Sequence, residues 1–572
     1  MQDRATDYSS VVQTLRAEIP KMLSDAGIVG ATVALTDGDR TIMSEGFGWA
    51  DRAKRRPVTN RTLFHIGSLS KTFSALSVMQ LVERGKVKLN APITRYVPQL
   101  RLLPRFRNST ITVRSVLDHH SGIPGDVFYG LITMKHPDRG FRNWLYRALS
   151  AMPPERRVNT EWAYNNSGYV LLQALVENVT GQPFASWTGR NLFSRMKMRS
   201  SSFDDTKAPS SAMTRNYSQV IGPDGQPTGS TKADPREYVN GWTAGSILSS
   251  ASDMTNYLKM LTHRGAGAGS RVVQAKTLAQ MTTQQTNLPI DEFVRIGLSF
   301  FVSDTWMGRT FGHDGATTRN FSMMTIHPGQ QLGVFVSTNT VGGSAVADAI
   351  ASRAMALSYT AKTGITEPAP TPLPNPGPGT PSDAELASAA GRYAGYTDYR
   401  DVSVQGTQLV LTKHTSGQAT SSMLSRLADG WWKIEGNDAA QVAFQTVAGK
   451  RVLVARYGTS AGIQRGTMGQ KMAQTTPSAA WQKAAGRYKT RLDSSHATDL
   501  VSAELRLRVA NGMASLEIGP RSSYETQVLQ PLQKDRAYTF GISGGGGRRK
   551  GDVVVLRGKQ LTYMGLTYTK VR

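Results

Sequence analysis

The sequence predicts a multidomain chain: a long N-terminal unit mixing helices and strands, then two small, related antiparallel β units. Three observations carry this expectation. The chain has 572 residues, which at roughly 150 residues per domain suggests about three or four domains. A dense proline run (Pro368, Pro370, Pro372, Pro374, Pro376, Pro378 and Pro381) marks an extended, semi-rigid linker and separates parts of different pattern. The pentapeptide Ala389-Ala390-Gly391-Arg392-Tyr393 recurs as Ala484-Ala485-Gly486-Arg487-Tyr488, each time ahead of a strand-rich stretch.

These features divide the chain into residues 1–364, a linker at 365–382, and β units at 383–475 and 480–572. In the first unit, Leu69, Phe73, Leu76, Met79 and Val82 recur at helical spacing, so an amphipathic helix is expected over 68–84, stopped by Gly85. A second helix is expected over 167–180, closed by Gly181, and a buried strand over 331–339 around Leu332-Gly333-Val334-Phe335-Val336. Beyond the linker, short runs such as Gln408-Leu409-Val410-Leu411, Trp431-Trp432-Lys433-Ile434 and Val553-Val554-Val555-Leu556 are cut by Gly, Asp and Asn. That pattern predicts small antiparallel barrels or sandwiches.

Composition bounds the function. Hydrophobic residues make up 39% and charged residues 19%, enough for ordinary globular cores. The net charge of +26 favours contact with anionic polymers, including those of cell walls, and says nothing about fold. The basic residues are spread along the chain without a nucleic-acid module, so a generally basic surface is expected rather than a nucleic-acid site. With no cysteine, thiol nucleophiles, disulfides and Cys-ligated zinc are excluded. No His-Glu-x-x-His or comparable cluster is present, and neither metal nor cofactor is expected. No apolar run approaches the roughly 18 residues of a membrane span. The start, Met1-Gln2-Asp3-Arg4, has no hydrophobic signal core, which fits a cytoplasmic protein or an exported one whose signal has been removed.

Four stretches stand in one order: Ser68-Leu69-Ser70-Lys71, Tyr164-Asn165-Asn166, Gly245-Ser246-Ile247-Leu248-Ser249 and His313-Asp314-Gly315. Ser-x-x-Lys puts serine and lysine on one helix face, where a desolvated lysine can exchange a proton with the hydroxyl. A serine at a helix N-terminus gains from the positive end of the dipole. A tyrosine acts as a base only beside cations, which places Tyr164 with Lys71, and Asn166 can orient the lysine or hold a substrate amide. Each motif has decoys. Ser194-Arg195-Met196-Lys197 lacks a strand before it and an apolar helix after it, and Tyr238-Val239-Asn240 follows a polar, proline-containing stretch. His120 falls at an expected helix end and His327 in a hairpin turn, whereas His313 lies between two β-prone runs. Lys362-Thr363-Gly364 spells a β-lactamase motif, but follows a helical stretch and is read as a helix end capped by Gly364.

With these stretches, Phe64-His65-Ile66-Gly67-Ser68-Leu69-Ser70-Lys71 and Ile111-Thr112-Val113-Arg114-Ser115-Val116-Leu117-Asp118-His119-His120-Ser121-Gly122-Ile123-Pro124 complete a resemblance. Residues 1–362 resemble the serine β-lactamase-like hydrolases of the class C, penicillin-recognising type, a superfamily that includes DD-carboxypeptidases, esterases and D-aminopeptidases. The resemblance implies an N-terminal α/β (α+β) β-lactamase/transpeptidase-like domain with an antiparallel sheet flanked by helices. It implies that Ser68 is acylated, that Lys71 and Tyr164 move the proton, that Asn166 orients Lys71, and that His313 takes the third motif's role. It also implies an oxyanion hole from the N–H groups of Ser68 and Ala316, with Asn165 and Gly315 against substrate. A catalytic domain followed by two related barrels is similar to the three-domain D-aminopeptidase architecture, where a loop of the last domain restricts substrates. The candidate loop is 543–551, whose Arg548 and Arg549 suit a substrate carboxylate better than a free amine.

The expected activity is therefore cleavage of amide bonds in short peptides, including D-residue-containing or otherwise unusual ones, with esterase or β-lactamase activity as the close rival. A non-catalytic binder of cell-wall or other anionic polymers is the rival of another class. A periplasmic or secreted location follows from the resemblance and the charge, and a homo-oligomer is compatible with both.

Overall fold

The computed structural model describes residues 6–106, 109–124, 129–222, 227–286, 295–415, 418–473, 475–492, 502–519, 525–541 and 551–571. The N-terminal unit is built on a seven-stranded sheet in the order Phe301–Thr305, Gly308–Ala316, Phe321–His327, Leu332–Thr338, Gly30–Asp37, Arg40–Asp51 and Arg56–Pro57. Every pairing is antiparallel. The apolar run at 332–336 forms the central strand, with Val336 opposite Val33 and Phe335 opposite Met324. Because side chains alternate along a strand, the two central strands feed two cores. Leu332, Val334 and Val336 meet Leu15 and Ile19 of helix Ser9–Asp25 and Ile350 and Ala354 of helix Gly343–Thr363. Ala34 and Phe335 face the other way, into a larger core shared with helices Ser70–Glu83, Asn166–Thr180 and Ala251–Thr262.

The segment expected as one amphipathic helix over 68–84 differs in two respects. It opens as a 3-10 turn, Gly67–Leu69, and becomes α-helical over Ser70–Glu83. All of residues 70–81 are buried, so this helix is central rather than half-exposed. A helix buried all round must satisfy its polar side chains internally. Ser74 Oγ donates to Ser70 O and Thr243 O, Ser77 Oγ to Phe73 O, and Gln80 Nε2 to Asn191 O and Val272 O. The second expected helix runs Asn166–Thr180 and ends at Gly181, whose φ of +66° suits glycine.

Residues 365–382 are extended, as the prolines predict, but they form a strap rather than a free spacer. Thr371 N donates to Thr459 O at 3.0 Å, Gly379 N to Arg426 O at 2.8 Å, and Gln441 Nε2 to Pro374 O at 2.9 Å.

The strap leads into two closed eight-stranded barrels, running from Gly391–Ala394 to Gly462–Lys471 and from Gly486–Lys489 to Leu566–Lys570. The repeated pentapeptide makes the same joint in each. A short helix, Asp383–Ala389 or Ala479–Ala484, precedes the first strand. The tyrosine hydroxyl donates back to that helix, Tyr393 to Ala389 O at 2.8 Å and Tyr488 to Ala484 O at 2.6 Å. The arginine pairs with an acid on the next strand, Arg392 with Asp401 and Arg487 with Glu504. The last strand closes the barrel beside the tyrosine, and its lysine crosses the glycine to reach the helix end, Lys471 to Ser388 O and Lys570 to Lys483 O. Any side chain on Gly391 or Gly486 would meet that lysine stem at 2.7 Å.

Both barrels also hold one segment of the N-terminal unit. Lys450 Nζ of the first donates to Glu161 Oε2 at 2.8 Å. In the second, Gly551 packs so closely on Glu155 that an added Cβ would lie 2.7 Å from the Glu155 Cβ. Arg105 donates to Pro154 O and Glu155 O while lying over the Tyr538 ring at 5.5 Å. This segment leads directly to Tyr164. Among the described residues, no helix is long and apolar enough to cross a membrane.

Candidate active site

Ser68 lies in the 3-10 turn at the mouth of the central helix, half-buried, and Lys71 below it is fully buried. Lys71 Nζ lies 3.0 Å from Ser68 Oγ, 2.7 Å from Asn166 Oδ1 and 2.6 Å from Ala244 O. The two carbonyl oxygens only accept, so each fixes one N–H of the lysine. The remaining direction faces Ser68 Oγ, and a proton can pass along that line. Asn166 begins the helix Asn166–Thr180, while Ala244 belongs to the short helix Trp242–Gly245. The Gly245 stretch that follows is tied back to the serine helix: Ile247 N donates to Ser70 Oγ at 3.0 Å, and Leu248–Ser249 pairs with Phe64–His65. Ala244 acts through its backbone carbonyl, which no side-chain pattern in the sequence could reveal.

Tyr164 is buried with its ring centroid 4.8 Å from Lys71 Nζ. Two neutral histidines flank it. The His119 ring stacks on Tyr164 at 4.4 Å, and the His313 ring stands edge-on at 6.1 Å. His119 Nδ1 accepts from Asn165 N at 2.9 Å, so its proton sits on Nε2. His313 Nδ1 lies 2.5 Å from Asp314 O, an acceptor, so its proton sits on Nδ1. Burial, then the charge of Lys71, hold His119 well below the usual imidazole range. Burial is also the largest influence on His313, which with the Lys71 charge outweighs the opposing pull of Asp314 and brings it to about 4. The sequence singled out His313 but not His119, because the adjacent pair His119-His120 carries no sign of which member faces the tyrosine.

The strand Gly308–Ala316 passes against the serine turn without clearance. An added Cβ on Gly315 would lie 2.0 Å from Ile66 O, and one on Gly67 2.5 Å from Ala316 N. Ser322 Oγ, from the next strand, donates to Ile66 O at 2.8 Å. The peptide of exposed Ala316 is thereby held beside the chain entering Ser68.

Asn165, expected against substrate, is committed to the scaffold. It is the N-cap of the helix Asn166–Thr180, with Oδ1 accepting from Gly168 N and Nδ2 donating to Ile123 O. The loop 543–551, with Arg548 and Arg549, lies outside the described residues except for Gly551. The decoys occupy structural roles. Lys197 ends a helical turn at φ 58°, and Asn240 Nδ2 donates to Gly130 O. His120 faces Asp118 O and Thr286, and His327 accepts from Gln330 N. Lys362 binds Asp37 and Gln330 O, two residues before the cap Gly364.

A family model described as Beta-lactamase matches residues 11–358. Protein flp of Staphylococcus aureus (strain N315) is 24% identical over 319 residues, 55% of this chain, and the match spans only 61% of that relative's length. Penicillin-binding protein 4 of Amycolatopsis lactamdurans is 28% identical over 323 residues, covering 56% of this chain and 82% of that protein. The crystal structure of SurE superposes with a TM-score of 0.56 at 20% identity, covering 80% of this chain and 99% of that one. The D-amino acid amidase from Ochrobactrum anthropi SV3, complexed with L-phenylalanine amide, gives 0.51 at 22% identity, covering 61% and 100%. The octameric penicillin-binding protein homologue from Pyrococcus abyssi gives 0.50 at 21% identity, covering 80% and 99%. At these identities the structural likeness is one of fold.

Proposed function

Because the chain belongs to the β-lactamase family, a family of serine hydrolases, we propose that it cleaves amide bonds of short peptides, including those with D-residues, through an acyl-enzyme on Ser68. The observation that carries this reading is the placement of Lys71 Nζ, 3.0 Å from Ser68 Oγ and fixed by two carbonyl oxygens, under the Tyr164 ring. Ser68 Oγ attacks the scissile carbonyl carbon and its proton passes to the Lys71–Tyr164 pair. The carbonyl oxygen becomes an oxyanion between the N–H groups of Ser68 and Ala316. As the C–N bond breaks, the leaving amine takes a proton from the same pair. Water then attacks the ester, giving its proton to the pair and releasing the acid with Ser68 restored.

Fold-level likeness to a D-amino acid amidase and to SurE, which is also known in complex with D-Leu, supports an amide substrate with a D-residue. The grip of both barrels on the segment entering Tyr164 supports a site whose rim selects small substrates. The export expected from charge and family belongs to the same proposal: a periplasmic or secreted enzyme acting on cell-wall-like peptides.

The test is a matched panel of D- and L-aminoacyl p-nitroanilides, N-blocked peptides and the corresponding p-nitrophenyl esters, assayed with the protein and with Ser68→Ala. Ser68-dependent turnover of anilides with a preference for one enantiomer supports the peptidase reading. Turnover of esters alone assigns an esterase on the same scaffold. Unchanged behaviour of Ser68→Ala in every assay, with binding to cell-wall polymer retained, assigns the non-catalytic binder.

A further inference from the structure

A buried carboxylate that takes no part in the proton path lies behind the oxyanion strand. Glu237 is fully buried on the short strand Glu237–Val239, which pairs with Ile132–Met134. A carboxylate removed from water is tolerated only when its oxygens are hydrogen-bonded or paired, and the partners of Glu237 come from two places. On one side is the turn at 317–320, immediately after Ala316. Oε1 accepts from Thr317 Oγ1 at 2.6 Å and Asn320 Nδ2 at 2.7 Å, and Oε2 from Thr318 Oγ1 at 2.6 Å and Thr318 N at 3.3 Å. On the other side lies His65, three residues before Ser68, whose Nδ1 is 3.7 Å from Oε1, a contact beyond hydrogen-bond distance.

His65 is held in turn. Its Nε2 lies 3.1 Å from Asp205 Oδ2, and the same oxygen accepts from Val239 N at 2.9 Å, two residues beyond Glu237. Asp205, His65 and Glu237 are all at most 2% exposed. The turn is also closed on itself, with Thr317 N donating to Asn320 O at 2.9 Å and Asn320 N to Thr317 Oγ1 at 3.0 Å. Glu237 thus holds the chain leaving Ala316, and Asp205, bonded to both His65 and Val239 N, joins the Glu237 strand to the chain entering Ser68.

We infer that Glu237 is a positioning residue of the oxyanion hole, setting the separation and aim of the Ser68 and Ala316 N–H groups by gripping the 317–320 turn from a strand that Asp205 ties to His65. This inference rests on the acyl-transfer reading above and extends it to a residue that touches no substrate. Hydrogen bonds to a charged acceptor are the stronger kind, and a pair of donors is useful only where the oxyanion forms. A carboxylate suits the place because each of these partners in the turn donates. A glutamine matches this only at a cost: with its NH₂ toward Thr318 it meets the Thr318 N–H, which cannot accept, and with its NH₂ toward Asn320 the Asn320 amide must flip and give up its bond to Asn216 Oδ1.

The test uses the full-length protein and Glu237→Gln, with p-nitrophenyl acetate as substrate and phenylboronic acid as inhibitor. Ser68 Oγ donates an electron pair to boron, its proton passing to the Lys71–Tyr164 pair, and the resulting tetrahedral anion occupies the oxyanion position. Losing an oxyanion donor outright costs about 10²–10³ in rate, and a misaimed donor costs part of that. The expected result for Glu237→Gln is a fall in kcat of about 10–10²-fold with KM within about twofold, and a rise in the boronate inhibition constant by a similar factor. Thr318→Val, which removes one hydroxyl and leaves the carboxylate, should show the same split at smaller size and carries the test if Glu237→Gln fails to fold. A merely structural role would lower the melting temperature and leave kcat and boronate affinity of the folded fraction unchanged, which would overturn the inference. A wild-type protein that neither turns over the ester nor binds the boronate refutes the acyl-transfer reading, and this inference with it. A reactive wild type with indifferent variants refutes this inference alone.

Discussion

The two histidines beside Tyr164 should be neutral at pH 7 and carry their protons on opposite nitrogens. His313 titrates at about 4 in the fold because burial and the Lys71 charge disfavour a second cation. A free imidazole titrates near 6.5, so the interval of about 2.5 in pH corresponds to about 3 kcal/mol of linkage. The folded value is the lower one, so the unfolded chain binds the extra proton first. This contribution to stability is complete above about pH 6.5 and is lost as the pH falls through about 4. Replacement of His313 by Gln should therefore flatten the acid limb, and the difference between wild-type and variant urea-unfolding free energies should shrink by about 3 kcal/mol between pH 7 and pH 4. His119, held low chiefly by burial and then by the Lys71 charge, stays in both proteins, so these main contributions cancel in that difference and only the smaller one from His313 does not. Long-range ¹⁵N–¹H spectra of histidine-labelled protein read the tautomers directly, with His119 protonated at Nε2 and His313 at Nδ1. A His313 signal titrating near 6.5, or the same tautomer at both positions, would show that burial, the Lys71 charge and these hydrogen bonds do not set the state of the two rings.

Two further perturbations test the geometry. Gly67→Ala places a Cβ 2.5 Å from Ala316 N and 2.8 Å from Ala316 C, at a φ of +54°. Since backbone cannot yield as a flexible side chain would, kcat/KM should fall by at least about 10², with a stability loss of about 1–2 kcal/mol, both read from steady-state kinetics and thermal melts. Lys450→Met tests the barrel contact. Burial pushes Glu161 up, but Arg156 and Lys450 outweigh it and hold the carboxyl below the usual range. That contribution is present above the unfolded carboxyl value of about 4.3 and lost as the pH falls through the lower folded one. Lys450 is partly exposed, so its removal should cost only about 1 kcal/mol, decreasing with salt. A larger relative effect on kcat than on the melting temperature would show that the barrel steadies the segment leading to Tyr164.

The first two of the four motifs were legible because the proposed acyl transfer calls for particular side chains: a hydroxyl at 68, an ammonium at 71, a phenol at 164 and an amide at 166. The strand Leu332–Thr338 and the helix Asn166–Thr180 were legible because a short apolar run and a glycine-stopped period are local signals. Burial of the helix Ser70–Glu83 was not legible. Ser70, Ser74 and Ser77 look like a polar face until Ser74 is seen to donate to the carbonyls of Ser70 and Thr243, Ser77 to that of Phe73, and the Ser70 hydroxyl to accept from Ile247 N. The pentapeptide repeat announced two like units, but its physical reason, a tyrosine and a lysine locking a short helix to the closing strands, needed the barrels. Ala244 O and the grip of Glu237 on the 317–320 turn depend on contacts between distant parts of the chain, and no local pattern encodes them.

Whether Ser68 is the nucleophile is read by intact-mass measurement after incubation with a fluorescent acylating probe. One adduct is expected, mapped to Ser68 and absent in Ser68→Ala. An adduct at another residue, or none under conditions that label a related serine hydrolase, would contradict a Ser68 nucleophile.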